Sequence, residues 1–143
     1  MIVKKTQLYC FFFIHLSFYF VTRIYNMVQK PYSLDKLLEI ANGDQAFVDD
    51  MLVLFIDNVT EDIEKIKSLR QTDDWKAIAG IAHRLASRFA YLCVDGLYKL
   101  SDDIEKSVLV RNDLEGIAEK TDRLCKEGIL LIEEFKNEFE FFE

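Results

Sequence analysis

The stretch "WKAIAGIAHRLASRFAYL", Trp75 to Leu92, decides how this chain folds. Trp75, Ile78, Ala82, Leu85, Phe89 and Leu92 fall at steps of 3, 4, 3, 4 and 3. That spacing lays a single apolar stripe along an α-helix, the seam by which a helix joins a bundle. The composition agrees with it. The chain has 143 residues, half of them apolar, with one proline and five glycines. It is the size of one domain, can bury a core, and has no run of alternating apolar and polar residues that would mark a strand.

Upstream of the seam, "RQTDD" (Arg70–Asp74) breaks the pattern, and Thr72 or Asp73 is placed to cap the helix that follows. Before the break, Val48, Leu52, Phe55, Val59, Ile63, Ile66 and Leu69 make a long amphipathic stretch. Ser33 can cap a short helix from Leu34 to Ala41, ended by "NGD" (Asn42–Asp44). Downstream, "CVDG" turns the chain into a helix carrying Leu97, Leu100, Ile104 and Val108, and "VRND" turns it again. Leu114, Ile117, Thr121, Leu124, Leu131, Phe135 and Phe139 mark the last and longest helix, with Gly116 and Gly128 inside it. Interior glycine costs helix stability, so each marks close packing or a bend. The expected fold is all-α: an antiparallel four-helix bundle with a short additional N-terminal helix.

Residues 1–26 differ from the rest. They hold Lys4, Lys5 and Arg23 and no acidic residue, and their apolar run, Leu8 to Val21, is interrupted by His15 and Ser17. A membrane span needs roughly 20 apolar residues, and no small-x-small cleavage site follows as in a signal peptide. Three readings stand, in this order: a misassigned start with Met27 as the true one, a membrane anchor, and a signal. The organisation expected is a leader over 1–26 and a bundle over 27–143.

The formal net charge is −7. An acidic chain is poorly suited to nucleic acid, which needs a basic face. Cys10, Cys93 and Cys125 are odd in number and widely spaced. They suggest neither zinc nor a disulfide framework, and fit a reducing cytoplasmic setting. No glycine-rich phosphate loop or kinase nucleotide motif is present. His83 has no partner histidine or acidic ligand within its own turn, so no metal site is expected.

His83 follows the seam residue Ala82 and so lies about 100° away from it. The residues three and four positions away are Ala79, Gly80, Ala86 and Ser87, all small. They form a clearing that another protein surface could approach. Gly80 costs the helix roughly 1 kcal/mol relative to alanine. On spacing alone, an ordinary surface histidine and close helix packing explain the same pattern.

"AHRLASRFAYLCVDGLYKLSDDIE" resembles the signature of histidine-containing phosphotransfer (HPt) domains, with Ala82, His83, Leu85, Leu92, Leu97, Leu100 and Glu105 at matching positions. "SLDKLLEIANGDQAFVDDMLVLFIDNVTEDIEKI" is similar to the family's entry region. The resemblance implies that His83 accepts a phosphoryl group from an aspartyl phosphate on one receiver domain and passes it to another. It implies a phosphoryl carrier without turnover of its own, in a two-component phosphorelay. It implies receiver domains of response regulators and hybrid sensor kinases as partners. No cofactor is implied for this chain, with magnesium expected only on the receiver. The clearing residues would then admit the receiver's active site. The family's lysine three residues after the histidine is Ala86 here, and the following glycine is Ser87. Arg84, Arg88 and Lys76 are the candidates to neutralise the phosphate instead. Leu37, Leu38 and Ile40 of the short helix are expected to complete the docking surface. The missing lysine keeps a second reading open: a helical module that binds receivers without transfer, membrane-anchored if residues 1–26 belong to it.

Overall fold

A computed structural model describes residues 30–111 and 113–139 of the chain. The leader, the boundary at Met27, and Cys10, His15, Phe141 and Phe142 lie outside them. The described residues form helices only: α1 (Asp35–Ile40), α2 (Gln45–Arg70), α3 (Trp75–Tyr91), α4 (Asp95–Leu109) and α5 (Ile117–Glu138). The compact helical unit begins at Tyr32. α2 packs on α3, α3 on α4, α4 on α5 and α5 back on α2. Short turns join consecutive members of this ring, which makes it the expected antiparallel four-helix bundle. α1 packs beside α2.

Local chemistry sets the boundaries. Asn42 and Gly43 take left-handed backbone angles, φ 49° and 79°, and hand the chain to Asp44. The Asp44 carboxylate then accepts from the Phe47 N–H at 3.2 Å and starts α2. The cap of α3 is Asp74, which accepts from the Ala77 N–H at 3.1 Å. Thr72 and Asp73 were the expected caps; instead Thr72 donates back to the Leu69 carbonyl and Asp73 makes the turn at φ 51°. α5 begins at Ile117 rather than Leu114. Gly116 stands before it at φ 67°, a left-handed conformation that suits glycine. Gly116 is therefore the helix boundary, not an interior residue. α2, with 26 residues, outruns the 22 of α5 and is the longest helix.

The seam of α3 is buried as its spacing requires: Ile78, Ala82, Leu85, Phe89 and Leu92 are in the core, and Trp75 is half-buried beneath the Arg70 guanidinium, 5.0 Å from its ring. Phe55 of α2 meets Phe89 of α3 and Phe135 of α5 edge-on, at centroid distances of 6.2 and 5.6 Å. Tyr32 completes the cluster 4.5 Å from Phe135, and its hydroxyl donates to Glu138. With the Ser33 N–H bonded to the Leu92 carbonyl at 2.8 Å, this fixes the entry of the chain against the end of α3.

Gly128 lies in the middle of α5 where a Cβ would stand 2.7 Å from Ile63 Cδ1. Close packing is thus the reason for this glycine. Alanine there would gain roughly 1 kcal/mol of helix propensity but must displace a buried methyl, an overpacking cost of about 1–3 kcal/mol. Ile63→Val removes that methyl. Urea melts of Gly128→Ala, Ile63→Val and the double variant are expected to show a favourable coupling of at least about 0.5 kcal/mol. Simple additivity would show that α2 and α5 do not meet as tightly as this.

Candidate functional site

An α-helix turns about 100° per residue, and that angle sorts the neighbours of His83. The buried seam lies to one side of it. Ala79 and Ala86 fall about 40–60° toward the seam, while Gly80 and Ser87 fall equally far toward solvent. Ala79 and Ala86 are accordingly buried, and Gly80 and Ser87 exposed. The expected clearing of four residues is therefore one of two. Ala79 and Ala86 instead belong to the buried side of α3. A methyl group on Gly80 would meet nothing within 4 Å. Nothing among the described residues accounts for that glycine, which leaves the space above it open to a partner.

The His83 side chain is 65% exposed, and its Nδ1 lies 3.0 Å from Oε2 of Glu105 on α4. A carboxylate oxygen only accepts, so Nδ1 carries the ring hydrogen and donates it to Glu105. The lone pair is then on Nε2, at the far side of the ring. A histidine held this way is oriented and offers one nucleophilic nitrogen to solvent. Ser87 Oγ donates to the His83 carbonyl at 3.4 Å, which folds that hydroxyl back onto the helix.

The other flank of α3 is different. Arg84 Nη2 lies 2.8 Å from Asp62 Oδ1, and Arg88 pairs with Asp62 Oδ2. The Asp62 side chain, on α2, is only 4% exposed. A buried carboxylate needs such partners. The phosphate role expected of these arginines gives way to this clamp, because both turn away from His83 to balance Asp62. Burial pulls the Arg88 guanidinium below its ordinary value, but arginine stays charged in proteins. Lys76 is exposed in the first turn of α3, on the His83 face but roughly 10 Å along the axis from it.

Of the three expected docking residues, Leu37 is buried in the core, 5% exposed, because it is the residue by which the short α1 packs down. Leu38 and Ile40 reach solvent, Ile40 at 57%. Ile40 borders a groove of about 410 Å³ together with Phe47, Met51, Leu54 and Tyr91. Those four were not singled out from sequence, although Phe47, Met51 and Leu54 form a second stripe one residue ahead of the α2 seam. Cys125 is buried, and burial pushes its thiol up to about 11, so it is protonated and unreactive. Cys93 is only half-buried, at φ 54° in the α3–α4 turn. Among the described residues, no group of three or more His, Cys, Asp or Glu could hold a metal ion. No helix among them is long and apolar enough to cross a membrane.

The sequence matches the family model for the Hpt domain over residues 50–138. The chain belongs to the Hpt domain family. That makes it a histidine phosphotransfer domain of two-component signalling, a carrier module rather than an enzyme of the ordinary kind. Its fold is similar to the crystal structure of the HPT domain from an Hpt sensor hybrid histidine kinase of Shewanella. The TM-score is 0.57 and the identity 21%, over 76% of this chain and 96% of that one. No curated protein matches the chain.

Proposed function

We propose that this Hpt domain is a phosphorelay intermediate in which His83 takes a phosphoryl group from a receiver-domain aspartate and passes it to a second receiver. The observation that carries the reading is the Glu105 contact, which commits Nδ1 and leaves Nε2 free beside the bare surface of Gly80 and Ser87. In the transfer, the Nε2 lone pair attacks phosphorus while the P–O bond to the receiver aspartate breaks and its electron pair returns to that carboxylate. The ring gains positive character, which the Glu105 carboxylate offsets through the Nδ1 hydrogen. Reaction with the next receiver runs the same steps backward. Such transfer is mainly positioning and charge neutralisation, and the magnesium ion belongs to the receiver. The apolar groove lined by Leu37, Ile40, Phe47, Met51 and Leu54 is the surface on which the receiver would dock. The setting that suits this chemistry is the cytoplasm.

One observation favours a second reading, a module that binds receivers without transfer. Ala86 replaces the family lysine, and Arg84 and Arg88 are engaged by Asp62. Phosphorylation from a phosphorylated receiver separates the two. The wild type is expected to gain an acid-labile, base-stable label and His83→Gln none. If a folded wild type gains no label from a donor competent on another acceptor, the relay reading fails and the binding module stands.

A further inference from the structure

We propose that Lys36 of α1 supplies the positive charge that the Hpt motif would otherwise place at position 86. This assignment rests on the relay reading of His83 and adds a residue to it. One cleft of about 410 Å³ is lined by Lys36, Glu39 and Ile40 on α1 and by Ser87, Ala90 and Tyr91 on α3. Lys36 thus stands across from Ser87, which is on the solvent side of His83 and one turn along, about 6 Å of rise. Lys36 is exposed and makes no ion pair with any described residue, Glu39 in the same cleft included. Its ammonium is uncommitted. The other cations near His83 are worse placed. Arg84 and Arg88 lie farther round the same side of α3 as Ser87, but both are paired with Asp62, and Lys76 is two turns away.

The chemistry gives Lys36 its task. Transfer to Nε2 leaves a phosphoryl dianion on a ring whose one ionic contact among the described residues, Glu105, is negative. That product needs a cation on its solvent side. A lysine on a flexible four-carbon stem can swing to the phosphoryl oxygens when they arrive and release them when a receiver takes the group away. Ser87, still small, keeps the path between Lys36 and the ring open. In this chain the charge comes from the neighbouring helix, and the entry to α1, held by Ser33 on the Leu92 carbonyl at the end of α3 and by Tyr32 on Phe135 of α5, positions it.

The test loads His83 of the full chain with potassium phosphoramidate, which needs no receiver, and follows loss of the label and the phosphorus NMR titration of the phosphoryl group. Lys36→Met is expected to shorten the lifetime of the label by up to about fivefold, the scale of one exposed ion pair, and to move the second phosphoryl ionisation to higher pH. Lys36→Arg, which keeps the charge, should restore both. Lys126→Met, an equal charge change on α5, should alter neither. A Lys36→Met protein with wild-type lifetime and titration overturns the assignment, even if receivers exchange phosphoryl groups with His83 normally. Loaded His83 that exchanges with no receiver overturns the relay reading alone, and a wild-type His83 that loads from neither donor overturns both.

Discussion

Glu105→Ala is expected to slow phosphoryl transfer to His83 by roughly tenfold to a hundredfold, the range seen when the partner that orients a functional histidine is removed. Two effects combine. Without the carboxylate, the imidazole on the exposed face of α3 is free to rotate, and the fraction of encounters with Nε2 aimed at phosphorus falls. The hydrogen is also no longer fixed on Nδ1, so part of the population carries it on Nε2 and has no lone pair there. Glu105→Gln separates these from the charge. Its amide oxygen can still accept from Nδ1–H, so orientation and tautomer survive, and only the negative charge that offsets the ring is lost. The expected order of rates is wild type, then Glu105→Gln, then Glu105→Ala. Single-turnover transfer from a phosphorylated receiver measures it, with circular dichroism showing that α4 is intact. Equal rates for the wild type and Glu105→Ala would mean that the 3.0 Å contact does not govern reactivity.

This contact shows where sequence reading stops. The seam from Trp75 to Leu92 is periodic, so the helix, its buried face and the exposed position of His83 could all be read from spacing. What periodicity does not carry is the register between helices. Glu105 follows the seam residue Ile104 by one position, and its spacing alone cannot say that it lands opposite His83, 22 residues earlier. The same holds for Asp62. It sits beside Ile63 on the long apolar stripe of α2 and reads as an ordinary polar neighbour until α3 brings two arginines to it. Turn chemistry failed for a different reason. "TDD" offers three residues able to cap, and the choice of Asp74 depends on Asp73 accepting a left-handed backbone. The clearing around His83 is narrower than residue size alone implies, because size carries no direction. Ala79 and Gly80 are both small, but only one of them points away from the seam.

Arg84→Met/Arg88→Met is expected to lose about 3–5 kcal/mol of stability, the cost of leaving a buried charge without its partners. The reasoning is asymmetric. The Asp62 side chain is 4% exposed, whereas that of Arg84 is 48% exposed. If Asp62 is removed, at least Arg84 can turn into water and keep its charge hydrated. If both arginines are removed, the carboxylate stays between α2 and α3 with neither solvent nor cation. Asp62→Leu should therefore cost less than the double arginine variant, although it deletes the same two ion pairs. Combining all three substitutions should recover much of the loss, since apolar groups packed where a buried ion pair stood are often neutral or stabilising. Urea unfolding of the four proteins decides the matter. A loss of this size is a large part of the 5–15 kcal/mol that holds a typical domain together. If Asp62→Leu proved as costly as the arginine pair, the contribution would lie in the ion pairs themselves. If the arginine pair cost under about 1 kcal/mol, in the manner of a surface salt bridge, water must reach Asp62. Arg84 would then be free to serve His83 after all, and the assignment of the phosphate to Lys36 would lose the argument that its rivals are engaged elsewhere.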